Sequence, residues 1–140
     1  VNVDWNSVNH FKAKEFDSSD EPGSGEKMVP RVVYMLDALR GLLGKPLRIN
    51  SGYRTPEHNK AVGGASGSGH VTGEAVDIST RGWTKADRTD LILYARKLGF
   101  TGIGIASTFI HIDMKARTAS WHYVGGRFVS HALADELKFV

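Results

Sequence analysis

"GIGIASTFIHIDMK", residues 102–115, decides how this chain folds. Its two parts, GIGIAS (102–107) and FIHIDMK (109–115), are both strand-like, and a single residue separates them. Runs so close together pair as an antiparallel hairpin. Within the second run His111 and Asp113 stand two apart, so an extended backbone projects both from one face.

Outward from this hairpin the pattern changes period. TKADRTDLILYARKLGF (84–100) predicts a helix: Thr84 caps it with Asp87 three residues on, Leu91, Tyr94, Ala95 and Leu98 share a face, and Gly99 ends it. PRVVYMLDALRGLLGK (30–45) predicts another, with Pro30 in the first turn, an apolar face of Val32, Val33, Leu36, Leu39 and Leu43, and Gly44 as the stop. LRINSGYR (47–54) and EAVDIST (74–80) alternate as strands, and TPEHNKAV opens a helix of about two turns before Gly63 and Gly64. DSSDEPGSGEK (17–27) has the composition of a long loop. A weaker strand around HYV (122–124) and a terminal helix over HALADELKF (131–139) complete the pattern. Without a regular βαβ rhythm, these elements predict an α+β fold: one domain over residues 1–140, with a small, mainly antiparallel sheet flanked by helices.

Composition narrows the function. With 140 residues, 41% of them hydrophobic, the chain has enough apolar material for a real core. No apolar run approaches the length of a membrane span, and VNVDWNSVNHFK at the start carries no visible signal peptide. The net charge is +3, but the 18 Lys and Arg are scattered rather than striped, so no nucleic-acid partner is expected. There are no cysteines. Any metal must therefore be held by carboxylates and by members of the six-histidine set.

SGSGHVTGEAVDI (66–78) supplies such donors. His70 lies in a glycine-rich loop, and Asp77 sits inside the apolar run that follows. Together with His111 they can form a two-histidine, one-carboxylate set, the arrangement of a catalytic zinc that keeps a fourth position for water. Gly69 and Gly73 would give the loop the freedom to fold His70 back on its own strand. A phosphate loop is a poor match, because the stretch lacks the Gly-Lys-Ser/Thr ending and precedes a strand. On spacing alone His70 also reads as a loop histidine, Asp77 as a turn cap and His111 as a core histidine.

A resemblance favours the metal. SGHVTGEAVD (68–77) is similar to the Ser-x-His-x-x-Gly-x-Ala-x-Asp signature of peptidase family M15, the zinc D-Ala-D-Ala carboxypeptidases and endopeptidases. INSGYRTPEHN (49–59) resembles the family's upstream Ser-Gly-Tyr-Arg segment, and GIGI…FIHID (102–113) the His-x-Asp block of its phage-lysin and murein-hydrolase subgroup. The three motifs stand in the family's order and cover about half of the chain.

The resemblance implies a D-Ala-D-Ala carboxypeptidase/hedgehog-like fold and one zinc ion held by His70, Asp77 and His111. It implies Arg54 and Ser68 at the substrate, and hydrolysis of a peptide bond in peptidoglycan, at the bacterial wall, by a monomer. A zinc domain that binds wall or partner without catalysis is the alternative. Several branches of the family carry a glutamate base three residues before the last zinc histidine; here Thr108 stands there. Asp113 is the nearest acidic candidate for the base, with an orienting carboxylate, paired to an arginine such as Arg117, as the other reading. His58 is expected near the cleft, His10, His122 and His131 away from it, and Trp121 either as a groove floor or as part of the core.

Overall fold

A computed structural model describes residues 1–140. Three helices, α1 (Pro30–Leu43), α2 (Pro56–Ala61) and α3 (Lys85–Lys97), accompany six strands: β1 (Ile49–Ser51), β2 (Ala75–Ser79), β3 (Gly102–Ile105), β4 (Phe109–Asp113), β5 (Ala119–Val124) and β6 (Arg127–Ser130). The strands form one sheet in the order β1-β2-β4-β3-β5-β6, antiparallel throughout except for the parallel pair β3–β5. The α+β architecture with a mainly antiparallel sheet is the one the sequence predicts, and the 102–115 stretch is its central hairpin.

The helices begin and end where the side chains dictate. Thr55 and Thr84 accept hydrogen bonds from the backbone N–H of His58 and Asp87, capping α2 and α3. Pro30 opens α1, and Gly44 closes it in the left-handed conformation at φ 64°. The strands bury one face against α1 and α3. Val76 and Ile78 of β2, Ile103 of β3, and Ile110 and Ile112 of β4 join Val32, Leu36, Leu91 and Ile92 in one core. Each such side chain contributes about 1.5–3 kcal/mol on burial.

Alternation then assigns the opposite face. Asp77 of β2 pairs with His111 of β4, His111 with Gly104 of β3, and Gly104 with Trp121 of β5, so one row crosses four strands.

Three segments differ from expectation. Residues 131–139 do not form an α-helix; Leu133–Phe139 is a 3₁₀ helix. Seven residues without a capping side chain are too short to sustain an α-helix alone, and the segment is held instead by tertiary bonds. β6 is an additional strand, turned by Gly125 and Gly126 at φ 55° and 77°, the conformation a tight hairpin turn requires. The 17–27 stretch is tightly organised, because the Asp17 carboxylate accepts hydrogen bonds from the backbone N–H groups of Gly23 and Gly25.

Candidate metal centre and its cleft

β2 and β4 are adjacent, and the loop before β2 returns over them. This brings one donor atom each of His70, Asp77 and His111 within 4.8 Å of one another. All three residues are at least nine-tenths buried. The return of the loop depends on Gly73, at φ 75°, where a Cβ would lie 2.4 Å from the carbonyl oxygen of Lys27.

Each histidine is oriented through its other nitrogen. His70 Nδ1 lies 2.8 Å from the carbonyl oxygen of Gly52; that oxygen only accepts, so Nδ1 carries the proton and Nε2 faces Asp77 Oδ1 at 3.3 Å. His111 Nδ1 lies 2.9 Å from Asp77 Oδ1, and its Nε2 lies 2.8 Å from Asp113 Oδ2. Burial disfavours a charge on His111, but the hydrogen bonds of Asp113 and Asp77 outweigh it and hold the ring up at about 9. Burial pushes Asp77 the other way from its neighbours; hydrogen bonds from His111 and His70 win and keep its carboxyl well below the usual range.

This donor set fits a zinc ion. It offers two imidazole nitrogens and one carboxylate oxygen, each imidazole backed by an acceptor on its far nitrogen, as metal-binding histidines require.

Asp113 has different surroundings. Its oxygens accept from both Arg117 Nη atoms, from His111 Nε2 and from the backbone N–H of Lys115. Four donors saturate the lone pairs of a carboxylate. Burial opposes its charge, and the Arg117 and His111 hydrogen bonds overcome that, so the carboxyl is held well below the usual range. These contacts favour the orienting role over the general-base role expected from sequence, because no lone pair is left for a water proton. Gly102 makes room for the pair; a Cβ there would lie 2.4 Å from Asp113 Oδ2 and 2.5 Å from Arg117 Nη1.

Arg54 reaches the centre. Its Nη2 lies 3.4 Å from Asp77 Oδ2, Nη1 donates to Asn59 Oδ1 and Nε to Ser51 Oγ. Three of the guanidinium's five N–H groups are thus committed. Ser68 Oγ accepts from the backbone N–H of His70 at 3.2 Å, so it shapes the loop that carries the ligand.

These residues line a cleft of about 510 Å³. Beside the donors the lining is aromatic: Phe109, Trp121, Tyr123 and Phe128. The Trp121 ring lies 5.2 Å from the His111 ring, so Trp121 is a cleft residue rather than a core cap. Thr108, Glu74 and His58 lie outside the lining. His58 is instead beside Ser19 Oγ, and Glu74 takes the hydroxyl of Thr72. His122 and His131 meet Nδ1 to Nδ1 at 2.9 Å under Phe139, away from the cleft, and His10 is exposed. Tyr123 was not singled out from the sequence. The alternation of ASWHYV, which places residues 121 and 123 on one face, was the available signal.

Comparison with known proteins follows the same residues. The chain is 39% identical over 72 residues to the zinc D-Ala-D-Ala carboxypeptidase of Streptomyces albus G; the match covers 51% of this chain and 27% of that protein's length. The family model for peptidase M15 matches residues 9–113, which include Arg54, Ser68 and all three metal-donor residues. A match over three quarters of the sequence that ends on the Asp113 backing His111 means that this chain belongs to the peptidase M15 family.

Proposed function

We propose that this protein is a zinc-dependent peptidase that cleaves a peptide bond in bacterial peptidoglycan, in a stem peptide or a cross-link, as a carboxypeptidase or an endopeptidase. The observation that carries this reading is the buried His70–Asp77–His111 triad opening onto the cleft. The name of the Streptomyces relative supports the metal and the wall substrate. The site of action would then be the bacterial wall, outside the cytoplasm or delivered by a phage, with the protein working as a monomer.

Bound there, zinc supplies Lewis acidity to the scissile carbonyl and a water whose pKa falls to about 7. The chain's own residues do the rest. Gly52 and Asp113 fix the tautomer and tilt of His70 and His111. Arg117 keeps Asp113 charged and in place. Arg54 keeps two uncommitted N–H groups for a carbonyl or carboxylate of the peptide, a contact that suits its planar fork. Ser68 and the loop around it line the substrate's path.

One observation favours a second reading, a zinc domain that binds wall or partner without cutting it. The carboxylates lining the cleft are Asp77 and Asp113, and Asp113 is saturated by donors. The deciding measurement is release of new amino groups from purified peptidoglycan by zinc-loaded protein. The peptidase reading expects release that a chelator abolishes and that His111→Ala lacks. Binding to the wall with no release at any zinc loading would establish the second reading.

A further inference from the structure

The aromatic lining beside the metal donors holds a hydroxyl, that of Tyr123, that no chain atom engages. β5 alternates, so the rings of Trp121 and Tyr123 face the cleft while the Ser120 hydroxyl turns to Glu136 and His122 stacks on Phe139. Trp121 covers Gly104, where a Cβ would lie 2.5 Å from its Nε1. Two residues on, the Tyr123 ring is clasped between Phe109, at 5.3 Å, and Phe128, which meets it edge-on at 5.0 Å. The clasp fixes the ring and leaves its hydroxyl as the free end.

The other donors of the cleft are largely committed. Arg117 is spent on Asp113, Lys115 Nζ donates to the carbonyl oxygen of Gly67, and Arg54 gives three of its five N–H groups to Ser51, Asn59 and Asp77, keeping two for the substrate. No carbonyl or carboxylate of the chain takes the Tyr123 proton. The Trp121 Nε1–H is buried in the same lining without a partner of its own.

Burial pushes the phenol up to about 12; the Trp121 N–H opposes the rise, Asp77 adds to it, and Arg54 opposes it. Tyr123 lines the same cleft as Arg54, Asp77 and His111. A phenol in these surroundings stays neutral at working pH and donates without surrendering its proton.

We propose that Tyr123 Oη is a catalytic hydrogen-bond donor to the carbonyl oxygen of the peptide bond being cut. This rests on the peptidase reading above. As water adds to an amide carbonyl, negative charge builds on that oxygen, and a donor already held in place stabilises it. Tyr123 transfers no proton and forms no covalent bond; it holds the oxygen while charge develops and lets go when the carbonyl re-forms. The family match ends at residue 113, so Trp121, Tyr123 and Phe128 lie beyond the matched segment, while Phe109 lies within it.

The test is Tyr123→Phe, which keeps the ring in its clasp and removes only the hydroxyl. On a muropeptide that the wild-type protein cleaves, kcat should fall about 100-fold, the usual cost of one such donor. KM should stay within about 3-fold, because the contact is made chiefly in the transition state. Zinc content and melting temperature should match wild type. A phosphinate analogue of the same bond, which mimics the charged tetrahedral carbon, should bind the variant about 100-fold more weakly, with affinity for the product peptide unchanged. Unchanged kcat and phosphinate affinity in an active enzyme would overturn the role of Tyr123 and leave the peptidase reading standing. A wild-type protein that releases nothing from peptidoglycan would overturn both.

Discussion

His111 lies between two carboxylates, a position that would control how the proposed zinc centre takes up metal. With Asp77 on Nδ1 and Asp113 on Nε2, the ring is held up at about 9 and is protonated at neutral pH. A metal ion approaching Nδ1 must displace that proton, whereas Asp77 is already ionised. Zinc binding at pH 7.5 should therefore release about one proton, seen by calorimetry in buffers of different ionisation enthalpy. The sign follows from the raised value: affinity should climb with pH and level off once pH passes about 9. Asp113 yields a second expectation. Because it orients His111, Asp113→Asn should weaken zinc binding by about 10- to 100-fold, as loss of such a partner does. A general base would behave otherwise, losing turnover at full zinc occupancy, and metal titration beside kinetics separates the two.

At the level of elements, the centre depends on β3 having no side chains where its neighbours need room. Gly102 leaves space for the Asp113–Arg117 pair, and Gly104 leaves space for the Trp121 indole. In Gly104→Ala the new methyl would meet indole atoms at 2.5 and 2.6 Å. The indole is rigid and must tip away, off its position beside His111. Overpacking of this kind costs about 1–3 kcal/mol, readable as a lower denaturation midpoint together with a changed near-UV tryptophan signal. The helices adjoining the site are organised locally. Thr55 at the start of α2 takes its cap bond, and its hydroxyl donates to Asp20, tying the 17–27 segment to the link between β1 and α2 that carries Arg54 toward the site.

The whole molecule is closed by its C-terminal segment. Glu136, buried under the segment, receives Arg96 Nε and Nη2 from α3 and the hydroxyl of Ser120 from β5. Arg96 also donates to the carbonyl oxygens of Thr101 and Ala119, so one guanidinium joins a helix, two strand ends and the terminus. β5 carries Trp121 and Tyr123 on its other side, which makes this cluster the support of the cleft's aromatic wall. Arg96→Ala leaves Glu136 buried and unpaired, and should cost about 3–5 kcal/mol in urea unfolding. Arg96→Lys should recover only part of that, since an ammonium cannot serve the carboxylate and the carbonyls in one plane.

Much of this protein was legible along the chain. Periodicity separated α1 and α3 from the strands, the 102–115 hairpin implied an antiparallel sheet, and the order of motifs singled out His70, Asp77 and His111, which the fold brings together. These features are local: capping, alternation and turn chemistry act between residues a few positions apart. What the chain could not specify depends on contacts between distant segments. Alternation says that His111 and Asp113 share a face, and a pairing of Asp113 with Arg117 was one of two readings open along the chain; the turn after β4 brings that pair together. Only the parallel placement of β5 beside β3 makes Trp121 and Tyr123 a wall of the cleft, and nothing in the spacing of ASWHYV names its neighbour. The same limit explains residues 131–139, whose composition suits an α-helix but whose conformation is set by Arg96 and Ser120, far away in sequence. Strand partners and ion pairs are chosen by the free energy of the packed whole, which no local window of sequence contains.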